Sequence, residues 1–307
     1  MKIRSSSTSS LGSALAVAVL GVAALGVAAS PSSARADEAR EDFSQAELDR
    51  MLAPIALYPD ALLSQVLMAA TYPLEVVQAA RWSRAHPDTR GEAAVRAVRS
   101  EDWAPSVESL LAFPDLLHRM DEDLEWTQAL GEAFLTQEAD VMATVQTLRR
   151  KARASGALVS DERLEVVEEA DAIVVTPANP RVVHVPYYDP WVVYGSWWRP
   201  AFPPVVFAPW PGYVVVRPGF WWGYGVPVSG GFFFGGVSWP NGHVRVVRPR
   251  VPYGGPRRIH RVGRWRHSPR HRRGVPYRAP VLRRPPPARR APSPGRVAPR
   301  ARPAPER

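Results

Sequence analysis

The sequence contains no cysteine. That excludes disulfides, thiolate metal sites, a cysteine nucleophile and a lipid-modified N-terminal cysteine, so any folded part is held by its core alone. No HExxH, GxSxG or P-loop pattern occurs either. Zinc peptidase, α/β-hydrolase and nucleotide-hydrolysing chemistries therefore have no motif behind them. Beyond residue 36 no run is long and apolar enough to cross a bilayer. Acidic side chains almost vanish from the C-terminal end. Residues 241–307 hold twenty Arg, no Lys and one acid, Glu306, for +19, whereas the remaining residues carry −9 within a net charge of +10. An acidic body with a polycationic tail marks an interaction tail. A high-GC coding bias produces the same Arg, Pro and Ala enrichment, and the charge attracts anions whatever its origin.

What is present begins with an export pattern. Lys2 and Arg4 precede the apolar run from Leu11 to Ala29, and Ala34-Arg35-Ala36 supplies a small-x-small pattern before Asp37. Residues 1–36 read as a secretory signal peptide cleaved after Ala36, with an uncleaved anchor as the alternative. Residues 37–160 read as a helical domain. Ser44 with Glu47 is a capping box. Leu62, Leu63, Val66, Leu67 and Ala70 recur at helical spacing, and Leu74, Val77 and Ala80 continue the pattern beyond Pro73. His86-Pro87 breaks it, a helix follows over 91–99, and Pro105 and Pro114 open two short ones. The spacing predicts one long helix over 124–154, with a stripe of Leu130, Phe134, Val141, Val145 and Leu148. Basic residues at its C-terminal end suit the helix dipole, and Gly156 is its stop.

Tyr-Pro occurs twice in this region, at Tyr58-Pro59 and Tyr72-Pro73, and Phe113-Pro114 repeats the pattern. A residue before proline is pushed out of the helical region, while proline is comfortable at the first helical position. Each pair therefore ends one helix and starts the next, the aromatic ring either wedging into the core or contacting a ligand.

After Asp161 the period changes to that of strands, over 164–167, 172–176, 182–185 and 191–194, punctuated by "TPANP" and "PYYDP". Residues 161–204 read as a small antiparallel β-meander that needs the helices to cover one face. Eighteen of the chain's twenty-nine Phe, Trp and Tyr lie between Tyr187 and Trp239. The aromatic Gly/Pro-rich region, 205–240, either covers the meander or forms a binding surface for a partner or sugar rings. Residues 241–307 read as a disordered Arg/Pro-rich tail. The fold class expected is α+β: a multi-helix domain packed with a meander, then the aromatic region and the basic tail.

"LAPIALYPDALLSQVLMAATYPLEVVQAARW", "FPDLLHRM", "LEWTQALGEAFLTQEADVMATVQTLR" and "TPANPRVVHVPYYDPWVVYG" together resemble the bacterial exported family catalogued as domain of unknown function 3300. The resemblance covers about residues 48–204. "WRHSPRHRRGVPYR", 265–278, is similar to a segment of that family's tails. His184 departs from the family pattern, where Tyr is expected. The resemblance implies an exported protein with a structured N-terminal part and a variable tail, and it supplies no mechanism and no catalytic residues.

The candidate site residues follow from these patterns. Asp60 and Glu75 stand in first helical turns, where the dipole stabilises an acid. With Tyr58 and Tyr72 they form a candidate cleft whose two carboxylates would act as glycosidase carboxylates do. Asp121, Glu122, Asp123 and Glu125 suit a solvated helix start or a cation site. His267 and His271 are four apart, but Pro269 lies between them and Arg surrounds them, against a metal pair. Arg257, Arg258, Arg261, Arg264, Trp265, Arg272, Arg273 and Tyr277 are the candidate polyanion-binding set, since Arg pairs bidentately with phosphate and carboxylate and aromatics add stacking. No metal or cofactor is expected. The function expected is a non-enzymatic envelope or periplasmic protein, attached peripherally by its tail to an anionic envelope polymer or lipid surface. A protein partner at the meander edge or aromatic region is a further possibility. A glycan-acting enzyme is the alternative, as is a nucleic-acid-binding protein if the chain is retained in the cytosol.

Overall fold

Proline and the residues before it set the outline of the helical part. The computed structural model describes residues 42–247 and 262–283. The expected signal segment lies outside them. Helix α1 (Gln45–Leu52) opens with the expected capping box, Ser44 N–H donating to Glu47 Oε2 at 2.7 Å and Glu47 N–H to Ser44 Oγ at 3.3 Å. Helices α2 (Asp60–Ala70), α3 (Pro73–Ala85), α4 (Gly91–Ala97), α5 (Pro105–Leu110) and α6 (Pro114–Glu122) follow. Tyr72 and Phe113 adopt almost the same backbone, φ −124° with ψ 60° and 67°, and each hands over to a proline at the first helical position. At the first corner Pro59 stays outside the helix as its cap, and α2 begins one residue later, at Asp60.

The single long helix expected over 124–154 is two, α7 (Leu124–Thr136) and α8 (Glu138–Ala154). Gln137 leaves the helical region at φ −134°, ψ 46°. Its side-chain amide accepts from Phe43 N–H at 2.6 Å and donates to Phe43 O at 3.0 Å, fastening the approach to α1. Asp123 caps α7, accepting from Trp126 N–H at 2.9 Å. Helix α8 ends as the sequence predicts. Ala157 N–H bonds Ala152 O, Gly156 N–H bonds Arg153 O, and Gly156 carries the positive φ of 77°, which satisfies the orphan carbonyls of the last turn.

Helix α2 is the centre of the molecule. Every residue from Leu62 to Ala70 is buried, so it is covered all round rather than amphipathic. Helix α7 lies directly on it: a Cβ at Gly131 would sit 2.2 Å from Ala70 O, so only glycine allows the backbones to touch.

The β part differs in pairing from the meander expected. Strands β1 (Leu164–Glu169) and β2 (Ala172–Pro177) form an antiparallel hairpin. Its buried face, Ile173 and Val175, packs on α8, where Gln146 bonds both the N–H and the C=O of Ile173 at 2.8 and 3.0 Å. The next two strands do not continue that sheet. Strand β3 (Val182–Val183) pairs with β7 (Val226–Pro227), and β4 (Pro186–Tyr188) pairs with β6 (Phe220–Trp222), which also pairs with β5 (Val214–Arg217). Residues 191–194, expected as a strand, lie largely in the one-turn helix α9 (Pro190–Val193), capped by Asp189. The aromatic region is thus built into the fold. It supplies these partner strands and covers the helices, with Phe207 edge-on to Trp126 at 5.1 Å and Phe233 stacked on Phe113 at 6.0 Å.

A fourth sheet joins β8 (Gly235–Ser238), β9 (His243–Val246) and β10 (Gly263–Arg264). Residues 262–283, expected within the disordered tail, run across the helical body and end in α10 (Pro280–Arg283). We call them the strap. They are ordered because their apolar and charged side chains find buried partners, described below. Residues 248–261 and 284–307 of the expected tail lie outside the described residues. Among the described residues no helix is long and apolar enough to cross a membrane.

Candidate functional site

Each of the two Tyr-Pro corners closes around one buried arginine. At the first, Arg149 of α8 is fully buried. It donates to Ala56 O at 2.8 Å, Tyr58 O at 2.9 Å, Ile173 O at 2.7 Å and Asp60 Oδ1 at 2.6 Å. Its guanidinium lies 4.9 Å over the Trp239 ring, and the Trp239 indole N–H donates to Asp60 Oδ2 at 2.6 Å. Charge, ring face and stray carbonyls are satisfied together, which is what burial of a guanidinium requires. Tyr58 is fully buried beside this site, edge-on to Tyr188, and its hydroxyl has no hydrogen-bond partner. Burial raises its pKa well above the ordinary phenol value.

At the second corner the arginine comes from the strap. Arg272, 1% exposed, donates to Thr71 O at the end of α2 (3.2 Å), to Glu132 Oε1 of α7 (3.0 Å), and to Val275 O and Pro276 O (both 2.9 Å). Its guanidinium lies 4.1 Å over the Tyr277 ring. Burial lowers its pKa, against the opposing pull of Glu132. Glu132 also accepts the backbone N–H groups of Arg278 and Ala279, at 2.8 and 3.0 Å. Glu75 is fully buried: Oε2 accepts from Ala104 N–H at 2.6 Å, while His271 Nδ1 and Arg273 Nε both lie 2.9 Å from Oε1.

Tyr72 is the surface on which the strap lands. His267 stacks on its ring at 5.0 Å, Trp265 and His271 meet it edge-on, and Ser268 N–H donates to its hydroxyl at 3.0 Å. Burial pushes the Tyr72 phenol up to about 12, the Ser268 N–H opposing. His267 Nε2 lies 2.8 Å from Tyr277 Oη and Nδ1 3.2 Å from Thr71 Oγ1. Burial first, then the charges of Arg272 and His271, bring its pKa down to about 4.

The structure therefore sorts the sequence candidates differently from their two lists. Tyr72 and Glu75 of the cleft meet Trp265, Arg272, Arg273 and Tyr277 of the polyanion set at one junction, with His267 and His271. Tyr58 and Asp60 belong to the other corner. The oxygens of Asp60 and Glu75 are engaged by different partners, and among the described residues no partner is shared between the two carboxylates. Arg264 pairs with Glu138 Oε2 at 2.5 Å. Arg257, Arg258 and Arg261 lie outside the described residues. Sequence reasoning missed Arg149, Glu132 and Trp239. A signal existed for Glu132, an acid among Leu130, Ala133 and Phe134, where a buried carboxylate demands a cation.

Comparison with known proteins agrees with the extent of this fold. The family described as protein of unknown function (DUF3300) matches residues 44–267, running past the aromatic region and ending within the strap. The uncharacterized protein YacH of Escherichia coli (strain K12) is 43% identical over 193 residues, 52% of this chain and 31% of that protein. The chain thus spans about a third of that relative's length. No solved structure matches. With the greater part of its sequence matched, this chain belongs to the DUF3300 family.

Proposed function

We propose that the protein is a non-enzymatic interaction protein of the cell envelope, exported by its N-terminal segment and tethered by arginines outside the strap. One observation carries this reading: the basic end of the chain divides into two populations. Of the strap's seven arginines, five, Arg264, Arg270, Arg272, Arg273 and Arg278, are each paired with an acid of the helical body: Glu138, Asp102, Glu132, Glu75 and Glu125. Their charge is matched by acids of this chain, in the interior at Arg272 and at the exposed surface at Arg264, Arg270 and Arg278. Residues 248–261 and 284–307 carry twelve further arginines and one acid, Glu306. Such segments are attracted to an anionic surface by about 1 kcal/mol per basic residue close to it, and guanidinium pairs with phosphate and carboxylate alike.

The test compares the full mature chain with one ending at Arg283, which retains every described residue. Each is sedimented with vesicles of phosphatidylglycerol or of phosphatidylcholine, at low and high salt. The expected result is salt-sensitive binding of the full chain to the anionic vesicles, strongly reduced by the truncation. Sedimentation that is indifferent to truncation, to lipid charge and to salt overturns the proposal.

A further inference from the structure

The third aromatic-proline corner lacks what the other two contain. Phe113-Pro114 turns with the same backbone as Tyr72-Pro73, and Asp115 follows Pro114 as Asp60 follows Pro59. Ala112 stands where Thr71 does, the residue whose carbonyl receives Arg272. At the first two corners a buried guanidinium fills the angle, paired with a carboxylate and laid on an aromatic ring. At the third, no arginine of the described chain is buried in the angle. A cavity of about 200 Å³ lies there instead, its walls including Ala112, Phe113, Asp115, Val185, Tyr213 and Tyr224.

The Asp115 carboxylate is the unusual member. Asp60 and Glu75, the first-turn acids of the other corners, are bonded on both oxygens. Asp115 makes neither a hydrogen bond nor an ion pair with any described residue. Burial raises its pKa, while His118 and Arg90 pull it down more weakly from a distance. Arg90 itself stands exposed at the rim, held by Pro87 O and Tyr224 Oη at 2.9 Å each. Gly225 fixes the wall behind: a Cβ there would fall 2.3 Å from Val182 Cγ1, so the strand edge is drawn close and the space has a set shape.

We propose that this cavity binds the guanidinium or ammonium group of an arginine- or lysine-like amino acid. The cation pairs with Asp115 among the aromatic rings, and the ligand's carboxylate meets Arg90 at the rim. A carboxylate flanked by aromatic faces attracts an organic cation by charge and by cation–π contact. The volume is smaller than the ~300–1,000 Å³ of pockets for drug-sized ligands, and it suits one side chain. Arg90 would repel a bare cation, so a ligand carrying an acid of its own satisfies both charges. The source is either a free amino acid or the C-terminal residue of a peptide.

The experiment is calorimetric titration of the full chain with L-arginine, L-citrulline, agmatine and Nα-acetyl-L-arginine. L-Arginine binds, and citrulline, its uncharged isostere, binds about tenfold more weakly or worse. Asp115→Asn loses about the same factor with an unchanged circular dichroism spectrum. Arg90→Gln, at an exposed position, weakens arginine but not agmatine, which lacks the carboxylate. Acetyl-arginine binding as well as arginine identifies a peptide C-terminus as the source, and its failure identifies the free amino acid. Equal binding of citrulline and arginine, or Asp115→Asn and Arg90→Gln both binding arginine like the unmodified chain, or no saturable arginine binding at millimolar concentration, overturns the proposal.

Discussion

The corners at Tyr58 and Tyr72 are built alike and locked from different places. Each holds one buried arginine that takes up carbonyls at a helix end, pairs with one carboxylate and covers one ring. Arg149 belongs to α8, so its corner is sealed by the helical body and the hairpin that packs on it. Arg272 lies 201 positions beyond Thr71, in a strap with few elements of its own. Local free energies of opening differ across a fold according to how much packed structure must come apart. The same chemistry is therefore expected to act as a fixed keystone in one place and as a detachable latch in the other.

Replacing the two arginines in turn gives the sharpest contrast. Arg149→Met takes the cation from Asp60 and the guanidinium donor from the carbonyls of Ala56, Tyr58 and Ile173. Breaking one partner of a buried pair costs about 3–5 kcal/mol, and this loss is expected in the global unfolding of the domain, measured by urea denaturation. Arg272→Met removes the same kind of pair, and here the strap is expected to lift and let water reach Glu132 and Thr71 O. The expected global loss is below about 2 kcal/mol, with hydrogen exchange rising over 262–283 while α2 and α7 keep their protection. Equal global losses, with no selective exchange in the strap, would abolish the distinction.

How much of this was legible in the sequence differs between the corners for physical reasons. The turns themselves were readable, because proline restricts the residue before it whatever lies around it. So were the capping box at Ser44, the stop at Gly156 and the β1–β2 hairpin, all settled within a few residues. The break at Gln137 was not, because it depends on an amide reaching Phe43, 94 positions away. The pairing of β3 and β4 was illegible for the same reason: strands of two and three residues carry no register of their own, and their partners come from the aromatic region. Residues 191–194 misled through their β-branched and aromatic content, although Asp189-Pro190 is a helix-start signal. The strap was hidden by averaging. Arg and Pro dominate 241–307, yet Trp265, His267, His271 and Tyr277 set 265–278 apart, and Glu75 and Glu132 were acids in want of a cation.

Acid should tell the corners apart as well. His267 in the docked strap has its pKa lowered from 6.5 to about 4. Between those values an undocked strap takes up a proton that the docked one refuses. The contribution is therefore fully present above about pH 6.5 and is lost as pH falls toward 4. Limited proteolysis across this window should show cleavage within 262–283 increasing as pH falls, before the helical core yields. His267→Gln should flatten that dependence. A strap equally resistant at both ends of the window, or cleavage in the variant as pH-dependent as before, would show that His267 does not govern docking.

The smallest expected effect separates the tyrosines themselves. The Tyr58 hydroxyl is buried without a partner, whereas the Tyr72 hydroxyl accepts the Ser268 N–H at 3.0 Å. An unmade buried hydrogen bond is a cost, and a made one contributes about 0.5–1.5 kcal/mol. Tyr58→Phe should therefore leave stability unchanged or raise it slightly. Tyr72→Phe should leave Ser268 N–H unpaired and weaken the strap, visible as faster exchange at Ser268 with little change in global unfolding. If Tyr58→Phe instead costs more than Tyr72→Phe, the first corner contains a polar partner for that hydroxyl, such as a bound water. Its interior would then be less dry, and less fixed, than the contrast with the strap requires.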